Sequence, residues 1–268
     1  MNMGRRVYTE FPAYIRMPLY GFVGIALLLL MLPLAVALPI SLNADPWFTY
    51  PFRALSLRWF AELFSSPLWT GAMVNSLVIA ISTTVVATTL GTLAAIGLVN
   101  PRFPFRTAVM ALAISPMIVP VVVLGLGLFI FFSPLGLNYS YAGVVIAHTI
   151  LASPFVVITV TATLTRFDFN LMRAAAGLGA GRLTAFRTVM LPIIAPGVAA
   201  GAVFAFASSF DEVVMVLFIA GPEQRTLPKQ MFTGLREQLD PTILAAATVM
   251  IVLTSCLMAI AYNVNKNR

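Results

Sequence analysis

Charge is what this chain of 268 residues lacks. Asp, Glu, Lys and Arg together make up 9% of it, against about 25% in a soluble domain. Such a chain cannot cover its surface with water-compatible groups, so lipid must be its solvent. Histidine and cysteine are scarcer still, at one each, His148 and Cys256. One thiol closes no internal disulfide, and one histidine builds no histidine-based metal cluster. Lysine occurs only at Lys229 and Lys266. Neither follows a G-x-x-x-x-G-K-[S/T] loop, whose amides and lysine cradle phosphates, so the chain is no P-loop ATPase. A G-x-S-x-G nucleophile elbow is missing too. The net charge of +7 is carried by basic residues scattered singly, without the stripe that nucleic acid requires.

What is present is apolar length. Hydrophobic residues, 60% of the chain, gather into six segments, roughly 17–40, 69–99, 106–132, 139–164, 192–220 and 242–264. Each is long enough to cross a hydrocarbon core of about 30 Å at about 1.5 Å per residue. Residues 1–16 read as a tail and 17–268 as one transmembrane domain. Arg5, Arg6 and Arg16 imitate the basic start of a signal peptide. The apolar run that follows reaches Ile40 with no small-residue cleavage site before Pro39, so it reads as a retained first span. An even number of spans puts both termini on one side. Arg5, Arg6, Arg16, Arg102, Arg106, Arg166, Arg173, Arg182, Arg187, Lys266 and Arg268 fall there. Arg53, Arg58, Arg225, Lys229 and Arg236 fall on the other. The positive-inside rule makes the first side cytoplasmic.

The spans are not uniform. Ser115-Pro116, Pro120, Gly125 and Gly127 disrupt the third, as a kinked span or as pathway lining. Gly91, Gly97, Gly143 and Gly201, set among alanines and threonines, mark close helix packing. Residues 41–68 hold a dense set of aromatics, including Trp47, Trp59, Phe60 and Phe64, which suits either the membrane interface or packing on other spans. Thr226 to Glu237, between Gly221-Pro222 and Asp240-Pro241, reads as a short polar helix. His148 reads as a neutral histidine hydrogen-bonded to a neighbouring helix, and Cys256 as a packing residue.

Asp211 and Glu212 are the only acids inside an apolar segment. Each would cost about 2.5–3.5 kcal/mol facing lipid at a helix centre, so they face protein or water. In a continuous helix they point about 100° apart, with Ser208 one turn below. Three readings stand: a site for a cationic substrate, a gate or interhelical anchor, and a pairing with a cation on a partner. Phe204, Phe206 and Phe210 could add cation–π or methylene packing for an aliphatic diamine.

One long loop, about 166–191, lies on the positive side and is patterned. Asn170 can cap a helix that puts Leu171, Ala174, Ala175 and Leu178 on one face. Gly177 and Gly179 end it. A second stretch, Leu183 to Met190, follows, and Leu191-Pro192 closes it before the next span. The order Arg173-Ala174-Ala175, three residues, Gly179, nine residues, Val189, one residue, Leu191-Pro192 resembles the E-A-A-x3-G-x9-I-x-L-P loop of the membrane subunits of binding-protein-dependent ABC importers. Arg173 replaces the leading glutamate and Val189 the isoleucine. Phe204 to Glu212, then Gly221-Pro222 and Thr226-Leu227-Pro228, is similar to the polyamine (putrescine/spermidine) branch of these permeases. The likeness spans about residues 55–264.

The resemblance implies an all-α integral membrane fold: the six-helix type I importer permease with a cytoplasmic coupling helix. It implies that Arg173, Ala174, Ala175, Leu178, Gly179, Ala180, Leu191 and Pro192 dock on an ATPase. It further implies a second, homologous permease subunit, an ATPase dimer holding ATP and Mg, and an extracytoplasmic substrate-binding protein. No cofactor is expected on this chain itself, and the inner membrane is its expected location. The expected cargo is a polyamine such as putrescine or spermidine, met by Asp211, Glu212, Ser208, Phe206 and Phe210. An amino acid or opine, a stand-alone secondary carrier and an intramembrane enzyme are the rivals.

Overall fold

The computed structural model describes residues 13–45, 54–100, 103–237 and 240–266, and every long element among them is helical. Five helices are long and apolar enough to cross a membrane: α1 (Ala13–Ile40), α3 (Pro67–Val99), α6 (Tyr141–Leu164), the run that ends in α9 (Leu191–Phe210), and α12 (Thr242–Lys266). α2 (Arg58–Ser65) lies between α1 and α3. The third expected span is broken. α4 (Arg106–Ile114) and a 3-10 turn over Ser115–Met117 are bent by 102° from α5 (Val121–Phe132). Pro116 and Pro120 remove two backbone donors at that bend, which explains why the helix fails there.

The core is a triad. α3 and α6 run parallel: Tyr141 Oη donates to Asn75 Oδ1 at one end (2.8 Å), and Gly91 meets Val156 further along. α9 runs antiparallel to both, so that Ser209 meets His148 while Gly201 meets Val156 and Thr159. Residues four apart therefore stack in layers across the three helices. Ala87, Ala152 and Ala205 lie in one buried cluster with Ala95, Val156, Val160 and Ile194. Lipid offers no hydrophobic driving force between helices, so close approach through small residues carries the association. A Cβ on Gly91 would sit 2.7 Å from Val156 Cβ, and one on Gly201 would sit 2.6 Å from Thr159 Oγ1. The packing reading holds at these two. Gly97 differs, because the space beside it is open.

Trp59 and Leu63 of α2 pack with Trp69 and with Leu227, Ile243 and Ala246, and Trp59 Nε1 donates to the Asn43 carbonyl (2.8 Å). These aromatics are therefore packing residues, whereas Phe64 is exposed. Trp47 lies outside the described residues. α1 packs chiefly on α12 and exposes nearly all its apolar side chains. Cys256 is exposed on α12, contrary to its expected packing role, because α12 turns that face away from the triad.

Candidate functional site

The fifth expected span, 192–220, stops short. α9 ends at Phe210, and a short helix, α10 (Val214–Ile219), begins after a gap of three residues. Asp211 and Glu212 stand in the break and not within a continuous helix, so the 100° relation fails and two different chemistries replace it. Glu212 caps α10: its Oε1 accepts the N–H groups of Val214 (2.7 Å) and Met215 (3.0 Å). That satisfies orphan donors and places an anion at the positive end of a helix. Asp211 stands at the negative end of α9, its N–H donating to the Ala207 carbonyl, and its side chain is exposed. The helix dipole and the carboxylate reinforce each other there, and among the described residues no cation offsets them.

The side chain opens onto a cavity of about 660 Å3 between α1, α6, α9 and α12. Phe155, Phe204, Ser208, Asp211, Glu212 and Thr254 are among its walls, and no Lys or Arg is. Phe155 and Phe204 stack with centroids 6.1 Å apart. Phe206 and Phe210 stack on each other at 5.4 Å instead. Phe210 is 2% exposed and belongs to the core, and neither ring is among the residues that line the cavity. Of the five side chains expected at the site, Asp211, Glu212 and Ser208 come together there.

His148 lies two residues from this break across the α6–α9 contact. Its Nδ1 is 2.8 Å from Ser209 Oγ, and it is 1% exposed. This is the hydrogen bond to a neighbouring helix that its isolation suggests.

At the far end of α10, the expected polar helix is present as α11 (Leu227–Glu237). Lys229 Nζ donates to the carbonyls of Ala220 (2.9 Å) and Val216 (3.2 Å). Burial and nearby Arg225 hold this ammonium below the ordinary lysine range. The loop between is pinned to α3: Asn75 Nδ2 donates to the carbonyls of Glu223 (2.8 Å) and Arg225 (3.0 Å), and Ser76 Oγ accepts the Leu227 N–H (2.7 Å). None of these ties shows in the sequence, since their partners are about 150 residues apart. The Glu212 cap had a signal: an acid just before an apolar run is a helix start.

At the opposite end of the molecule the patterned loop is a helical elbow. α7 (Asn170–Gly177) starts one residue earlier than expected, and Asp168 Oδ1 caps it by accepting the Asn170 N–H (2.9 Å). Asn170 itself lies inside the helix. Gly179 makes the turn at φ +88°, a backbone state that suits glycine. Leu171, Arg173, Ala174, Leu178 and Gly179 are exposed, Leu178 at 90%, while Ala175 and Ala180 are half-buried. α8 (Arg182–Ala185) follows, and Leu191-Pro192 does not close it. A π turn over Phe186–Met190 carries the chain directly into α9, with the Leu191 N–H donating five residues back to Phe186. The widened turn absorbs the donor that Pro192 lacks, so Arg182–Phe210 is one helix of 29 residues.

A many-helix membrane protein with an acid beside a membrane cavity and an exposed helical elbow at one end has the build of a solute permease. Residues 87–268 match the family model described as binding-protein-dependent transport system inner membrane component. The chain is 31% identical over 241 residues to the spermidine/putrescine transport system permease protein PotC of Escherichia coli (strain K12), covering 90% of each. It is 30% identical over 226 residues to the putrescine transport system permease protein PotI of the same organism, covering 82% of this chain and 80% of that one. Among solved structures, a bacterial ABC transporter involved in the import of the acidic polysaccharide alginate matches with TM-score 0.69 at 16% identity, over 95% of both chains. The chain belongs to the binding-protein-dependent transport system inner membrane components, and is a non-catalytic, multi-pass permease of an ABC importer. The rival readings as a secondary carrier and as an intramembrane enzyme fall with that assignment.

Proposed function

We propose that this permease conducts a small organic cation, a polyamine such as putrescine or spermidine, and that Asp211 receives it. The observation that carries the reading is the exposed Asp211 carboxylate at the unwound negative end of α9, in a cavity without basic walls. Phe155 and Phe204 offer ring faces to methylenes or an ammonium. The polyamine permeases PotC and PotI, about as similar to this chain as each other, point the same way.

A second permease closes the pathway, and an extracytoplasmic binding protein delivers cargo. An ATPase dimer carrying ATP and Mg grips the elbow through Ala174, Leu178 and Gly179, with Arg173 meeting a partner other than the one a glutamate would choose. Ala175, Ala180, Leu191 and Pro192 shape the elbow from behind. Both termini and the elbow are cytoplasmic. The ATPases supply the difference in free energy between inward-open and outward-open states.

Uptake of labelled putrescine and spermidine by the assembled transporter in proteoliposomes tests this. Asp211→Asn is expected to lower uptake roughly tenfold or more, as loss of a desolvated charge pair does. Undiminished uptake by Asp211→Asn, and by the Asp211→Asn, Glu212→Asn double variant, removes the acid-site reading.

A further inference from the structure

α10 is six residues long and too short to hold itself together. Both of its ends are closed by side chains from outside it, each with the sign its dipole favours. Glu212 accepts the N–H groups of Val214 and Met215 at the first end. Lys229, reaching from α11, donates to the carbonyls of Val216 and Ala220 at the last. The residue next to the first cap is Asp211. The helix that supplies the last cap is fastened to α3 through Ser76 and Asn75. Tyr141 of α6 also donates to the Glu223 carbonyl (3.1 Å).

We infer that Lys229 is a positioning residue of the transport cycle, holding Asp211 in register with the molecule's non-elbow end by way of the two capped ends of α10. The chain of contacts is continuous: α3 to α11, Lys229 to α10, α10 to Glu212, Glu212 to Asp211. α10 is buried along one side, with Met215, Val216 and Ile219 against Ile79, Phe132, Val144 and Ala147. It is therefore a packed strut, and a displacement of α11 reaches the acid without being absorbed by a loose loop. Glu212 is spent on this cap, which leaves Asp211 as the acid free to meet cargo. In that last respect the inference rests on the proposed function. The mechanical coupling does not, because it concerns where residue 211 stands and not what it binds.

The experiment reads the position of residue 211 directly, with no cargo present. Cys256 is the only cysteine of this chain, so Cys256→Ser frees it of thiols, and the same assembly with Asp211 intact gives the background rate. Asp211→Cys in that background, within the assembled transporter, is reacted with the methanethiosulfonate ethylammonium reagent, and the rate is measured. Lys229→Met is expected to change the rate roughly fivefold or more, as does Glu212→Ala. The double variant should change it no more than either alone, because groups that hold the two ends of one strut are coupled through its backbone. Lys229→Arg should restore the original rate. A rate untouched by Lys229→Met, single effects that multiply in the double variant, or an arginine variant as altered as the methionine one overturns the inference. Should the methionine variant not assemble, Lys229→Gln, which keeps one donor group, is read by the same criteria. Failure of polyamine uptake in the wild-type transporter would strike the cargo reading and leave these rates unaffected.

Discussion

Ser209 is the partner through which the single intramembrane histidine satisfies one of its ring nitrogens, and its removal should be felt out of proportion to its size. Ser209→Ala leaves His148 buried without that hydrogen bond, a loss of about 1–3 kcal/mol. Replacing both groups, as Ser209→Ala with His148→Leu, removes the orphan along with the bond. The double variant is therefore expected to melt above the Ser209→Ala single in a detergent thermal-unfolding series. A histidine alone among apolar residues reads as hydrogen-bonded to a neighbouring helix because no second histidine exists and no acid or cysteine stands near it in sequence. The acids were less legible. Nothing between Ser208 and Val213 is a proline or glycine, so the one local signal near the stop of α9 at Phe210 is the acid that starts α10. Only the structure separates the roles of Asp211 and Glu212, and only there does Phe210 turn into the core.

At the scale of elements, the α3–α6–α9 triad owes its closeness to glycines whose missing side chains are filled by neighbours. Gly91→Ala should destabilise by about 1–3 kcal/mol, since Val156 is packed on both sides of the contact. Gly97→Ala, on the same helix but beside open space, should stabilise by about 0.5–1 kcal/mol through the helix propensity of alanine. Opposite shifts in melting temperature check the pair, and equal shifts would refute the layer geometry. Both positions look alike in sequence, because periodicity places them in a span without saying what lies across from them. The prolines at 116 and 120 told where the third span would fail, but the 102° bend depends on how α5 packs on α10. At the elbow two residues capable of capping, Asp168 and Asn170, lie two apart. Spacing alone favoured the second, and the backbone chose the first.

For the molecule as a whole, the orientation drawn from the basic residues has a direct check. Leu178 is 90% exposed at the elbow. With Cys256→Ser as background, Leu178→Cys should react with an impermeant maleimide in inverted membrane vesicles and not in intact spheroplasts, and bound ATPase should protect it. Reaction in spheroplasts would reverse the topology. The six apolar segments were visible from composition because lipid imposes its own length on them. The joints between them were not, since those depend on which residues meet after folding. The π turn ahead of Pro192 has the largest consequence. Because the chain never breaks between Arg182 and Phe210, the elbow and residue 211 are tied to the two ends of one helical rod of about 43 Å. A tug on one end is expected to reach the other, where the rod meets a bearing anchored to the opposite face, so the carboxylate sits on the pivot pin between two levers.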